Sequence, residues 1–272
     1  LMDNPQIELA RQIIETTDTH LFLTGRAGTG KTTFLRRLRT ESPKRMVVLA
    51  PTGIAAINAG GVTIHSFFQL SFAPYIPGTK VPTSYAMTKQ KIALIKSIDL
   101  LVIDEISMVR ADLLDAVDYA LRKHRRNSKP FGGVQLLLIG DLQQLAPVVK
   151  DEEWSMLKQH YPTPYFFSSN ALCNTNYVTV ELEKVYRQSD GHFLALLNEV
   201  REGNVSQQTL DALNQRYLPN FVPQKSDGYI QLVTHNWQAQ QVNSHEMDKL
   251  PGQTYTYKAV IKGCLLYTSP SP

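Results

Sequence analysis

The stretch Gly25-Arg26-Ala27-Gly28-Thr29-Gly30-Lys31-Thr32 matches the pattern GxxxxGK[ST], and its surroundings decide how the chain is read. His20 to Thr24 has the length and apolar character of a short buried strand, and Thr32 to Arg39 has helical periodicity. In that setting the glycines let consecutive backbone N–H groups converge on phosphate oxygens, and the following helix adds the positive end of its dipole. The spacing predicts that Lys31 reaches the β- and γ-phosphates of a nucleotide and that Thr32 ligates Mg²⁺. Gly25, Ala27, Gly28, Thr29, Gly30 and Thr33 complete the expected cradle, with ATP and Mg²⁺ as its cofactors.

The same grammar repeats on either side. A helix over Pro5 to Thr16 comes first; after the loop, Met46 to Ala50 reads as a strand, Pro51-Thr52-Gly53 as a turn and Ile54 to Ala59 as a short helix. Leu100 to Ile103 forms a strand ending in Asp104-Glu105, and Val109, Leu113, Leu114, Val117 and Leu121 mark one face of the next helix. Val134 to Ile139 is a further strand, ending in Gly140-Asp141. Continuous apolar strands alternating with helices predict an α/β fold: a parallel sheet with helices on both faces and all strand C-termini along one ligand-binding edge. Ser71 to Thr88, with Pro74, Pro77, Gly78 and Pro82, reads as an insertion. Beyond Tyr177 to Val180 the pattern restarts with a helix over Gly191 to Glu202 and a strand over Tyr229 to Val233.

Several strand ends carry residues suited to nucleotide chemistry. Asp104 is placed to hold Mg²⁺ through its water shell and Glu105 to polarise an attacking water as general base. Acids commonly end strands, so the pair gains its meaning from the loop upstream. In Gly140-Asp141-Leu142-Gln143-Gln144-Leu145, a neutral amide at Gln144 can sense a γ-phosphate without competing for the metal, although the segment alone is also a polar turn. Arg187, in Tyr186-Arg187-Gln188, fits an arginine finger because a planar cation suits the charge spreading over a transferring phosphoryl group; a helix-start salt bridge is the alternative.

Composition narrows the class. The 272 residues suffice for one large or two small domains, and no run of about 18 apolar residues offers a membrane span. Two cysteines, Cys173 and Cys264, with no CxxC pair, support neither a disulfide framework nor a structural zinc site and point to a reducing interior. The formal charge of +4 permits a polyanionic partner without requiring one. The clusters Arg36-Arg37-Leu38-Arg39 and Arg122-Lys123-His124-Arg125-Arg126 read first as solvent faces of helices. No charged-then-apolar leader is seen, so the expected location is cytoplasmic, or nuclear or mitochondrial in a eukaryote.

Taken in order, these motifs resemble the superfamily 1B DNA helicases of the Pif type, close to the RecD-like group. The resemblance runs from about Pro5 to Gly252. It is carried by Ala50 to Phe68 (APTGIAAINAGGVTIHSFF), Asp104 to Met108 (DEISM), Gly140 to Val148 (GDLQQLAPV), the Tyr-Arg-Gln run and Leu232 to Asn243 (LVTHNWQAQQVN). It implies a P-loop NTPase of RecA-like fold, with a first domain over 1–185 holding a small insertion near 69–97 and part of a second RecA-like domain over 186–263. It also implies a motor that hydrolyses ATP to walk 5′ to 3′ on single-stranded DNA, acting on forked or structured DNA in repair, recombination or telomere maintenance, as a monomer. Residue by residue, Gln6 would read adenine, Gln144 would sense the γ-phosphate and Arg187 would be the first arginine finger. Thr52, Thr63 and His65 would contact the DNA track, where hydroxyls and backbone N–H groups bind phosphates without reading bases. Taken alone, His65 is as well explained as a buried or capping histidine, and Tyr75 and Tyr85 as local packing.

An AAA-type remodelling ATPase shares the loop, the acidic pair and an arginine, but the Thr-x-His segment stands against it. A single-strand-binding or interaction module without turnover is the non-enzymatic rival. Residues 264–272, CLLYTSPSP, resemble a translated sequencing adaptor, Thr254 to Ile261 reads as a strand, and Met2 after Leu1 looks like a natural start. On that reading the chain lacks the family's later motifs and is expected to bind Mg·ATP without unwinding DNA.

Overall fold

A computed structural model describes residues 4–186, 190–224, 227–253 and 255–257. Helix α1 (Pro5–Thr16) is started by Asn4, whose side chain accepts from the N–H groups of Gln6 and Ile7, with Pro5 in the turn where no N–H is needed. Then come β1 (His20–Gly25), α2 (Lys31–Glu41), β2 (Met46–Ala50), α3 (Gly53–Ala59), β3 (Val62–Thr63) and α4 (Ile64–Phe68). After an irregular stretch, α5 (Lys89–Ser97), β4 (Leu100–Ile103), α6 (Ala111–Arg125), β5 (Gln135–Ile139), α7 (Asp151–Leu157), α8 (Asn170–Cys173), β6 (Tyr177–Leu182) and α9 (Gly191–Glu202) complete a compact unit ending at Gly203. The unit from Asn204 onward holds α10 (Gln207–Asn214) and α11 (Asn236–Met247).

The six strands pair in the order β3-β2-β4-β5-β1-β6, all parallel. Because successive side chains on a strand point to opposite faces, each apolar run feeds two cores at once. Leu101, Ile103, Leu136 and Leu138 pack on one face with Phe67 and Phe68 of α4, Ile95 of α5 and Leu114, Val117 and Leu121 of α6. Their neighbours Leu100, Val102, Leu137 and Ile139 pack on the other with Ile7 and Ile14 of α1 and Phe34, Leu35 and Leu38 of α2. The expected parallel sheet covered on both faces is therefore present. Register brings the strand ends level, with Leu49 opposite Ile103, Ile103 opposite Leu138, Leu23 opposite Ile139 and Gly25 opposite Leu182.

The structure departs from the sequence reading in several places. Val109 precedes α6 rather than lying on it, although it is fully buried. The insertion is closed by an antiparallel bridge between Leu70 and Thr83 and by the Ser71 N–H donating to the Pro82 carbonyl at 3.0 Å. Within it Tyr75 packs beside Tyr119, whereas Tyr85 is 76% exposed. Tyr229 to Val233 is irregular and exposed rather than a strand. A strand needs a neighbour to take its backbone hydrogen bonds, and no strand of that unit lies alongside it among the described residues. Of the expected strand Thr254 to Ile261, Tyr255 to Tyr257 is irregular and the rest lies outside the described residues, as do Arg187 and Cys264. Arg125 also escapes the solvent-face reading, since its guanidinium donates to the carbonyls of Ile95, Lys96, Ile98 and Gly132 at 2.8 to 3.0 Å and so ties the end of α5 to α6.

Beneath the sheet edge, Asp115 of α6 organises the segment before β6. Its buried carboxylate accepts from Tyr161 Oη (2.9 Å), Ser169 Oγ (2.5 Å), Asn170 N and Nδ2 (3.2 Å each) and Ala171 N (3.0 Å). Asp115→Ala removes the shared acceptor of these donors, and is expected to cost about 3 kcal/mol. Thermal unfolding should shift down by roughly 10 °C; a shift below about 2 °C would show that the network carries no stability.

Candidate active site

Because the sheet is parallel, every strand delivers its C-terminal loop to one edge. There β1 turns into the glycine loop. Gly25 sits at φ 147°, and a Cβ at this position would lie 2.6 Å from the Leu182 carbonyl oxygen, so the tight contact between β1 and β6 requires glycine. Gly30 adopts φ 97° as the N-cap of α2. The first backbone bond of α2 runs from Phe34 N–H to the Gly30 carbonyl at 2.8 Å, which leaves the N–H groups of Lys31, Thr32 and Thr33 without a partner inside the helix. Thr29, fully buried, closes the loop by donating its hydroxyl to the Arg26 carbonyl at 2.8 Å. The result is an anion cradle of N–H groups at a helix start.

Lys31 arches back over this cradle, its ammonium donating to the carbonyls of Gly25 (2.5 Å) and Arg26 (3.0 Å). Burial holds its pKa below the ordinary lysine value, while Asp141, Glu105 and Asp104 pull the other way. The two acids that follow β4 thus lie within electrostatic reach of Lys31. Burial pushes the Asp104 carboxyl up to about 6, with the neighbouring Glu105 carboxylate adding to the rise and the Glu105 N–H, 3.0 Å from Oδ1, opposing it.

Glu105 itself occupies the left-handed region, at φ 52° and ψ 44°. For a residue with a Cβ this conformation stores on the order of 1 kcal/mol of strain. The residues that follow approach the neighbouring strand end closely, where a Cβ on Gly140 would lie 2.8 Å from Ile106 Cγ2. Gly140 therefore lets the turn after Glu105 pack directly on the end of β5.

At the end of β5, Asp141 is nearly fully buried and accepts from the Gln144 side chain (Nε2 to Oδ2, 3.0 Å) and the Gln143 N–H (3.1 Å). Gln144, Lys31, Asp104 and Glu105 thus converge on one edge. Gln6 lies half-buried in the first turn of α1, beside Asn4, whose Nδ2 donates to Tyr186 Oη at 3.3 Å; the Tyr186 N–H in turn donates to the Gly28 carbonyl at 2.8 Å. Neither Asn4 nor this use of Tyr186 was foreseen, since a cap residue and a tyrosine carry no signal of contact across some 180 positions of chain.

The edge continues through β2 and β3. Thr52 caps α3, accepting from the Ala55 N–H at 3.2 Å, and Thr63 caps α4, accepting from the Ser66 N–H at 3.2 Å. His65 stacks on Phe72, with ring centroids 4.7 Å apart at 28°. Burial, reinforced by Arg110, keeps its pKa below the ordinary histidine value.

Comparison with known proteins identifies relatives of this chain. The sequence profile described as PIF1-like helicase matches residues 2–211. The chain is 34% identical over 252 residues to the ATP-dependent DNA helicase PIF1 of Saccharomyces cerevisiae, covering 90% of this chain and 28% of that one. It is 34% identical over 250 residues to the human protein of that name, covering 88% and 36%. Among solved structures it is similar to the Pif1 helicase from Bacteroides in complex with ADP-AlF3 and ssDNA, at TM-score 0.86 and 37% identity over 92% of this chain and 58% of that one. The Pif1 helicase from Candida albicans matches at TM-score 0.76 and 30% identity, covering 97% and 59%. The chain thus spans about a third of the length of these curated relatives and under two thirds of the solved chains. With a family profile running from α1 into α10 and a sheet that superposes on solved members, this chain belongs to the PIF1-like helicase family.

Proposed function

We propose that this chain contributes the ATP-hydrolysing half of a DNA helicase motor that moves 5′ to 3′ along single-stranded DNA. The observation that carries the proposal is the convergence of Lys31, Asp104, Glu105 and Gln144 on the edge that also presents Thr52, Thr63 and His65. The relatives are named ATP-dependent DNA helicases, and the Bacteroides structure holds ADP-AlF3 and ssDNA. In this reading the backbone from Gly25 through Thr33 wraps the phosphates, Lys31 exchanges its carbonyl partners for β- and γ-oxygens, and Gln6 reads the adenine. Glu105 orients the attacking water and takes its proton, and Gln144 donates to the γ-phosphate. Arg187, outside the described residues, is assigned the arginine-finger role from its motif alone.

The donor set suits Mg²⁺. A hydroxyl at Thr32 and the ionised carboxylate of Asp104 are hard oxygen donors of the kind that hold Mg²⁺ beside substrate phosphates, and a bound cation would oppose the burial that raises the Asp104 pKa. When bound there, the ion supplies charge neutralisation across the β- and γ-phosphates.

On the DNA side, Thr52 and Thr63 each accept a capping N–H, so their own O–H remains a donor for a backbone phosphate. His65, kept neutral by burial, is suited to hydrogen bonding rather than charge pairing. We place the functional boundary at residue 186, with the first RecA-like domain over 1–185, its insertion near 69–97, and the start of a second domain over 186–263. Single-stranded DNA and forked DNA are the proposed partners. One solved relative is described as two coordinating Pif1 helicases at forked dsDNA, so we propose a single copy as the minimal translocating unit without limiting how many act at a fork. No helix among the described residues is long and apolar enough to cross a membrane.

ATP turnover measured with and without a single-stranded oligonucleotide tests the proposal. Stimulation of about tenfold or more by DNA is expected, with a steep fall as salt rises. Stimulation by protein clients instead of DNA would favour a remodelling ATPase, and absent turnover with intact DNA binding would favour a passive binding module.

A further inference from the structure

The last turn of α9 is tied to both nucleotide-facing loops. Glu202 pairs with Arg26 of the glycine loop at 3.2 Å, an exposed and solvent-screened contact of little weight. Arg201 is different. Its Nη1 donates to Asp141 Oδ2 at 2.5 Å and its Nη2 to Oδ1 at 2.7 Å, a bidentate pair in which the Asp141 side chain keeps only 2% of its surface and Arg201 21%. Such a fork fixes both the position and the plane of the carboxylate. Burial alone would disfavour charge on Asp141, yet the bonds from Arg201, Gln143 and Gln144 hold its pKa below the ordinary aspartate value.

The same oxygen that meets Arg201 Nη1 also accepts from Gln144 Nε2. An ionised carboxylate only accepts, so it dictates how the Gln144 amide is turned: one N–H of Nε2 goes to Asp141, and the second is left to donate to an oxygen on the nucleotide side. We propose that Arg201 is a positioning residue for γ-phosphate recognition, acting through Asp141 to hold the Gln144 amide in its donating orientation. The proposal rests on the ATP-binding reading above and adds a residue from α9 to a site otherwise built from strand-end loops.

Titration of fluorescent ADP and of the fluorescent imido analogue of ATP, with Mg²⁺, separates this from a structural role. R201A is expected to lower the preference for the triphosphate over ADP about tenfold, the value of one charge-assisted or well-aimed hydrogen bond, while ADP affinity stays within twofold. Q144A should show the same loss, and R201A/Q144A should lose no more than either alone. R201K, which retains one charged contact with Asp141, should recover most of the preference. R201Q serves the same comparison if R201A melts below the assay temperature. An unchanged preference, equal losses for both nucleotides, or additive losses in the double variant would each overturn the proposal. Failure of the unmutated protein to bind either nucleotide would instead overturn the ATP-binding reading itself.

Discussion

Glu105→Gln is expected to slow ATP turnover by about 10² to 10⁴-fold while leaving nucleotide affinity within about threefold. The amide keeps the size and hydrogen-bonding reach of the carboxylate but cannot take the proton of an attacking water. Asp104, just before it at the strand end, is assigned to the metal, and its Oδ1 already accepts the Glu105 N–H, so it is not free to take over the proton. The backbone adds a second, independent readout. Glu105 stands at φ 52°, a conformation in which glycine carries no Cβ penalty. Glu105→Gly is therefore expected to abolish turnover without lowering the unfolding temperature, because relief of strain offsets the extra freedom of glycine in the unfolded chain. A marked loss of stability in Glu105→Gly, or near-normal turnover in Glu105→Gln, would count against Glu105 as a residue held in strain for chemistry. Steady-state hydrolysis, nucleotide titration and a thermal melt on the two variants decide the matter.

Lys31→Ala is expected to weaken binding of ATP and ADP together, by about a hundredfold or more for ATP. Lys31 contributes a charged donor at the glycine loop. Its ammonium sits on the carbonyls of Gly25 and Arg26, close enough to Asp141, Glu105 and Asp104 to feel all three. Removing it leaves an acidic edge facing a polyphosphate, so the loss combines a missing donor with uncompensated repulsion. Lys31→Arg should not restore binding, because a planar fork cannot replace a compact ammonium among converging backbone groups. Calorimetric titration with Mg·ADP and a non-hydrolysable ATP analogue gives the result, and ATP affinity within threefold of the parent in Lys31→Ala would show that the cradle binds through its N–H groups alone. Read against Arg201→Ala, the pattern is diagnostic: Lys31→Ala should cost both nucleotides, Arg201→Ala the triphosphate alone.

Much of the fold was legible because it is written in local periodicity. Met46–Ala50, Leu100–Ile103 and most of β5 are continuous apolar runs, and a strand buried on both faces has no other way to look. Helix α9 was delimited correctly from its pattern, with Asp190 and Gly203 as its caps. Tyr229 to Val233 misled because its composition suits a strand, while strand formation depends on a partner that composition does not reveal. Arg125 misled in the opposite sense. A cationic cluster at a helix end suggests solvent, yet one member turns inward to four carbonyls supplied by two other segments.

Within the site, Lys31, Thr32, Asp104, Glu105 and Gln144 were nominated from the sequence because each lies in a motif whose spacing suits a strand end and a phosphate. That their loops lie along one edge follows from a single topological fact, the parallel order β3-β2-β4-β5-β1-β6, which alternating strands and helices already implied. Only the tertiary structure decided the supports. The turn after Glu105 packs closely on Gly140, just past the end of β5, and the orientation of Gln144 runs through Asp141 to Arg201, 60 residues further on. Motif residues are constrained by a ligand whose shape is the same in every protein that binds it, so their pattern can be read along the chain. The residues that hold them in place are constrained by whichever side chain the fold brings alongside, and that neighbour is set by packing rather than by sequence distance.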